Sequence, residues 1–78
     1  MAMAEAEAVA RILARIERDR PAAIAGPAEF WARITALSLA EVTAALETLA
    51  DRGVVRRQPL GDQRFYVADP PHAGSGRG

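Results

Sequence analysis

Apolar residues in the first two thirds of the chain recur every three or four positions, which is the spacing of one buried helix face. This pattern predicts a first helix over residues 3–19. Its expected buried stripe consists of Val9, Ile12, Leu13 and Ile16. We expect the helix to end before Pro21, because the residue preceding a proline disfavours the helical conformation.

Residues 22–26 are too short for a helix and predict one extended strand, with Ile24 pointing into the core. Pro27 suits the first turn of a second helix, residues 27–36, because its missing N–H costs nothing at that position. The expected buried face of this helix consists of Phe30, Ile34 and Leu37, and Trp31 is expected at its edge.

A third helix is predicted over residues 39–52 from a capping signal and a second apolar stripe. Ser38 and Glu41 stand three apart, so each side chain can bond the other's backbone N–H. The expected buried stripe consists of Leu39, Val42, Leu46 and Leu49. Gly53 fits the left-handed conformation that ends a helix.

The segment after Gly53 predicts an antiparallel hairpin. Residues 54–58 and 64–68 are rich in strand formers, and residues 59–62 are typical of a turn. The two-residue period of a strand predicts that Phe65 and Val67 face the helices, while Arg64 and Tyr66 face outward. Because an isolated hairpin is marginal, we expect it to dock on the helices, with the strand at Ile24 as a third partner.

With 78 residues the chain predicts one domain, residues 1–68, followed by a disordered tail, residues 69–78, that contains the single histidine, His72. Half of the residues are hydrophobic, but 18 of these 39 are alanine. The expected core is therefore small. The alanine-rich start of helix 1 leads us to expect self-association as a homodimer through that helix.

Composition excludes several classes of function. The chain has no cysteine and one histidine, which rules out disulfides, thiolate zinc sites and histidine-cluster metal sites. No catalytic constellation or phosphate loop is visible, so we expect no enzyme activity, no catalytic residues, no cofactor and no metal. No apolar run approaches the roughly 18 residues of a membrane span. The expected location is the cytoplasm.

The order helix, strand, helix, helix, hairpin resembles the winged helix-turn-helix superfamily over residues 8–68. Ala28–Leu49 match its helix-turn-helix, Gly53-Val54-Val55 lead into the wing, and residues 56–67 match the wing. Ala32 stands where two helices approach closely, and Ala36 stands where the family often has glycine. The resemblance implies a mainly α-helical fold of three helices plus a two- or three-stranded wing sheet.

DNA binding is the first function that this resemblance implies, with helix 3 in the major groove. We expect Arg52, Arg56, Arg57 and Arg64 to contact phosphates, because they lie within 13 residues and are opposed by Asp62 alone. The alternatives are a charged strand edge that blocks aggregation and contact with an acidic protein. The zero net charge of the chain weighs against DNA binding. Further candidate contacts, to DNA or to a partner, are Tyr66, Thr48 and Ala44.

The solvent face predicted for helix 3 consists of Ala40, Glu41, Ala44, Glu47, Thr48 and Asp51. This face offers no Arg, Lys, Asn or Gln to pair with purine edges, which weighs against sequence reading. Its carboxylates can still accept from cytosine, and its Ala or Thr can contact thymine methyl groups.

The alternative is a protein–protein interaction module that binds or regulates a partner enzyme. The acidic third helix favours it, and Trp31 is a candidate anchor in such an interface. In length and layout the chain also resembles the small winged-helix protein associated with dissimilatory sulfite reductase, which implies an enzyme partner. The arginines of helix 1 are interpreted as a solvated face held by i,i+4 pairs with nearby carboxylates.

Overall fold

The computed structural model describes the backbone of residues 2–69 and the side chains from residue 5 onward. Three helices and three strands follow one another along this part of the chain. They are α1 (Ala2–Asp19), β1 (Ile24–Pro27), α2 (Ala28–Thr35), α3 (Leu39–Asp51), β2 (Arg56–Leu60) and β3 (Gln63–Ala68). The described chain is a small α/β domain, and this architecture is consistent with a winged-helix-like topology.

The three strands form one antiparallel sheet in the order β1-β3-β2. Ile24 pairs with Ala68 and Pro27 with Phe65, so the short strand after α1 joins the hairpin as predicted. On the other side of β3, Arg56 pairs with Val67 and Leu60 with Gln63. The hairpin is thereby fixed at its base to the segment that enters α2.

The core lies between α1, α3 and one face of the sheet, with α2 packed against it. Its largest fully buried side chains are Trp31, Ile12, Leu46, Leu49 and Val42. The edge position expected for Trp31 is wrong, because its ring has no exposed surface. The indole N–H donates to the backbone carbonyl of Tyr66 at 3.1 Å, so burial leaves no unpaired polar group and ties α2 to β3.

Three apolar residues that were expected in the core are exposed instead. Leu13, Phe30 and Leu39 keep 39%, 36% and 49% of their surface accessible. The buried residues of α1 are Ala8, Val9 and Ile12. The buried face of this helix is therefore centred on them and leaves Leu13 at its side. Leu39 is the first residue of α3 and therefore lies at the end of its stripe.

The predicted facing of β3 is also wrong. Tyr66 shares a face with Ile24 and Ala68, and this face packs into the core. Phe65 and Val67 lie on the opposite face, although Val67 is itself only 9% exposed. Because side chains alternate in a strand, an error of one position reverses the facing of every residue in it.

The connection between α2 and α3 contains one residue in the left-handed region. Ala36 has φ 59° and ψ 39°, the conformation that glycine adopts without steric cost. Its N–H donates to the carbonyl of Ala32, which closes the end of α2. The predicted capping box of Ser38 and Glu41 is present with both hydrogen bonds at 3.1 Å. Gly53 has φ 81°, as predicted for the end of α3.

The predicted tail begins at Asp69, whose carboxylate pairs with the Arg56 guanidinium at 3.0 Å. The rest of that tail, residues 70–78 with His72, lies outside the described residues. Within residues 2–69, each helix is too short or too polar to cross a membrane.

Candidate partner-binding surface at α3 and the hairpin

Two of the arginines predicted to bind phosphate point toward α3. Arg57 pairs with Tyr66 across the hairpin, and Arg64 precedes Tyr66 by two positions on β3. All three therefore lie on the sheet face that meets the helices. The position they converge on is Glu47, in the third turn of α3.

Glu47 accepts hydrogen bonds from all three side chains. Its Oε1 accepts from Arg57 Nη2 at 2.6 Å and from Arg57 Nε at 2.9 Å. Its Oε2 accepts from Arg64 Nη1 at 3.2 Å and from the Tyr66 hydroxyl. Arg57 Nη2 also donates to Asp51 Oδ1 at 3.0 Å. We call these five side chains the Glu47 cluster.

The cluster changes the acidity of its members in the directions expected for a partly covered charge network. Hydrogen bonds, first from Arg57 and then from Tyr66, lower the pKa of Glu47 to about 2. Bonds to Glu47 and Asp51 raise the pKa of Arg57. Burial, followed by the bond to Glu47, raises the pKa of Tyr66. Glu47 is therefore a carboxylate, and Tyr66 a neutral phenol, at physiological pH.

The other two candidate arginines lie elsewhere. Arg56 lies on the opposite sheet face, where its Nε contacts Asp69 and its Nη1 donates to Gln58 at 2.7 Å. Arg52 ends α3 and, with Thr48 and Glu5, lines a groove between α3 and the start of α1. The four arginines therefore do not form one basic patch.

The predicted solvent face of α3 is divided by its two neighbours. Glu47 is turned toward the hairpin, while Thr48 donates to the Glu5 carboxylate of α1 at 2.9 Å. The exposed residues of this face are Ala40, Glu41, Ala44 and Asp51. They present methyl groups and carboxylates, and α3 contains no Arg, Lys, Asn or Gln with which to donate to a partner.

Glu47 and Asp51 were not predicted as site residues. The sequence carries a partial signal for an acceptor, since Arg64 and Tyr66 lie two positions apart on one strand and need a partner if their face is buried. Arg57 joins that face through its pairing with Tyr66. With the facing predicted for β3, Arg64 and Tyr66 point into solvent, where water satisfies their donors and no protein acceptor is needed. Among the residues singled out earlier, Tyr66 is buried rather than exposed, whereas Ala44 is exposed as expected.

Two of the three arginines of α1 form the pairs predicted for a helix surface, whereas Arg18 forms no ion pair with any residue from 2 to 69. Arg11 contacts Glu7 at 3.3 Å, and Arg15 contacts Asp19 at 3.2 Å, both at i,i+4 spacing. Arg15 Nη1 also donates to the carbonyl of Ile34 at 3.0 Å. Arg15 thus supplies a hydrogen-bond donor to the Ile34 carbonyl, which lies in the last turn of α2 where carbonyls have no partner within the helix.

Metal-ligating side chains are not gathered in threes or more anywhere in the described part of the chain. The fold and the cluster together define a small α/β domain in which ion pairs and hydrogen bonds to Glu47 connect the hairpin to α3. Comparison of the chain with protein-family models, with curated proteins and with solved structures finds no match.

Proposed function

We propose that the chain is a winged-helix protein-binding module, and that its α3–hairpin surface contacts a protein partner and not DNA. The fold part of the proposal is supported by the element order, by the antiparallel β1-β3-β2 sheet and by the tight turn at Ala36. Ala36 adopts a left-handed conformation at the position where that superfamily often has glycine. The turn is therefore kept although alanine stands in place of glycine.

The observation that carries the binding part is the pairing of Arg57 and Arg64 with Glu47. A phosphate at Arg57 would have to compete with Glu47 and Asp51, which accept from its Nε and Nη2. A phosphate at the remaining donors of Arg64 would bring its charge close to the Glu47 carboxylate. The net gain expected from the two arginines is therefore small.

The exposed part of α3 points the same way. Helix reading of DNA depends on donors that match purine edges, and Ala40, Ala44 and Asp51 supply none. Methyl groups flanked by carboxylates suit a protein surface that carries small apolar groups and positive charge. Leu39 and Leu60, which are 49% and 51% exposed, add apolar surface at the start of α3 and at the end of β2.

DNA binding remains a second candidate because of Arg52. This side chain is exposed and has no ion pair within residues 2–69, so it is available for a phosphate. One contact of this kind contributes a weak, salt-dependent attraction without sequence preference.

Replacing Ala44 by Arg separates the two functions, because it moves them in opposite directions. Ala44 is exposed, so the variant should fold like the native chain. The new cation should weaken a protein complex by about tenfold through a clash and a misplaced charge. It should strengthen binding to duplex DNA, because it adds a cation to the helix that would enter the groove.

The measurement is affinity purification from nuclease-treated source cells with native and variant bait, alongside titration of both with a mixed-sequence duplex. Ala10→Arg, which adds the same charge to an exposed position of α1, is the matched control. The proposal predicts a protein that co-purifies with native and Ala10→Arg chains but is lost with Ala44→Arg. Duplex binding by the native chain that tightens in Ala44→Arg, with no such protein, would reject it.

A further inference from the structure

A second surface, made of residues that do not belong to the Glu47 cluster, lies between α1 and the end of α2. It is a groove of about 220 Å³ lined by Arg11, Ala14, Arg15, Arg18, Ile34 and Thr35. Three arginines are among its lining residues, and the nearest carboxylates, Glu7 and Asp19, pair with Arg11 and Arg15 outside that lining. It shares no lining residue with the α3–hairpin surface, so its occupant is independent of the function proposed above.

Arg11 and Arg15 are held in place by backbone groups. Arg15 donates to the carbonyl of Ile34 at 3.0 Å, and Arg11 lies 3.5 Å from the carbonyl of Ala36. Each of these arginines uses two of its five N–H donors on such a carbonyl and on one carboxylate. The remaining donors are oriented in advance, which lowers the entropy lost when a ligand binds.

Arg18 completes the row and is the freest of the three. It is exposed and makes no ion pair with any residue from 2 to 69. With spacings of four and three residues, the arginines rise by about 6 Å and 4.5 Å along the helix axis. Side chains on one side of an extended peptide recur at about 6.6 Å, so successive acidic groups can reach successive arginines.

We propose that this groove binds an extended acidic peptide segment in which carboxylates alternate with other residues. The carboxylates pair with Arg11, Arg15 and Arg18, because the planar guanidinium matches a carboxylate in a bidentate geometry. Ala14 and the half-buried Ile34 supply an apolar floor for the peptide backbone. A peptide is favoured over DNA because Glu7 and Asp19 at the ends of the row would meet further phosphates of a long polyanion.

The test is an NMR titration of the ¹⁵N-labelled chain with a short synthetic peptide in which Glu and Ser alternate. A peptide with Gln in place of Glu is the ligand control. Amide shifts should change along residues 11–18 and 34–36. Arg18→Ala should weaken binding by about three- to fivefold, the size expected for an exposed ion pair.

Arg52→Ala is the matched protein control, since Arg52 is also exposed, lacks an ion pair within residues 2–69 and lines a different groove. It should bind the peptide like the native chain. Equal weakening by the two variants, shifts centred elsewhere or no shift at millimolar peptide would overturn the proposal. Tighter, Arg18-dependent binding of duplex DNA would assign the groove to nucleic acid and would also overturn it.

Discussion

Arginines near the hairpin and arginines on α1 are paired in different ways. Arg57 and Arg64 bond a carboxylate 10 and 17 positions away on another element. Arg11 and Arg15 bond carboxylates four positions away on their own helix. The first kind of pair exists only when the hairpin is docked on α3, whereas the second forms wherever α1 is helical.

The difference determines what each set of arginines can do. A pair between elements fixes the orientation of the hairpin and places the Glu47 carboxylate beside both arginines. A pair within a helix adds only about 0.3–0.5 kcal/mol to helix stability and leaves donors free. The hairpin arginines are therefore structural, and the α1 arginines are the better candidates for binding an anion.

Replacing Glu47 by Gln should have the largest effect on stability, because it leaves Arg57 and Arg64 facing each other without a charge between them. With 34% of the Glu47 side chain exposed, solvent screening limits the expected loss to about 1–2 kcal/mol. Urea denaturation followed by circular dichroism measures it.

The matched control is Glu7→Gln, which removes an i,i+4 partner from Arg11 and should cost about 0.3–0.5 kcal/mol. Equal losses in the two variants would show that the pairs between elements are worth no more than those within a helix.

Acid should reduce the same contribution in the native chain. The folded-state pKa of Glu47, about 2, lies below its ordinary value of 4.5, so the stabilisation is fully present above pH 4.5. It is lost as the pH falls toward 2. The stability difference between native chain and Glu47→Gln should therefore shrink across this range and nearly vanish at about pH 2. A difference that stays constant from pH 5 to about pH 2 would contradict the assignment of the shift to Glu47.

Tyr66→Phe removes one hydrogen bond to Glu47 but keeps the buried ring. We expect a loss of about 1 kcal/mol, since the hydroxyl is only partly covered. Thr48→Ala, which removes the exposed hydroxyl that donates to Glu5, should cost less. Thermal unfolding of both variants gives the comparison, and a larger loss in Thr48→Ala would place the main link of α3 with α1 instead.

The smallest effects are expected within the α1 set. Arg15→Ala removes a part-buried bond to the Ile34 carbonyl at 3.0 Å together with the pair to Asp19, and should cost about 0.5–1 kcal/mol. Arg11→Ala removes an exposed contact of 3.5 Å together with the pair to Glu7, and should cost a few tenths of a kcal/mol. Hydrogen exchange at the end of α2 should increase only in Arg15→Ala.

Local signals predicted much of the fold. The apolar repeats predicted three helices, the Ser38–Glu41 spacing predicted a capping box, and Gly53 predicted the end of α3. The pairs of Arg11 and Arg15 were also predictable, because helix geometry alone brings i and i+4 together. Each of these features depends on residues within one turn of each other.

The features that sequence reasoning missed depend on tertiary contacts. Tyr66 is less apolar than Phe65 and Val67, yet its ring faces the core, and its hydroxyl donates a hydrogen bond to Glu47 of α3. Trp31 can be fully buried because its indole N–H donates a hydrogen bond to a backbone carbonyl of β3. In both residues the partner that makes burial favourable belongs to another element, so the residue's own segment does not reveal it.

Titration of the native chain and of the double variant Arg57→Ala/Arg64→Ala with a mixed-sequence duplex, from low to moderate salt, tests most directly whether the hairpin arginines are held by α3. Arginines that stay bonded to Glu47 should make no phosphate contact, so both chains should show the same salt dependence, although the double variant should bind somewhat more weakly because Glu47 is left unpaired. A native chain whose salt slope is steeper by about 2 than that of the double variant would mean that both arginines leave Glu47 for phosphates, and would contradict the account.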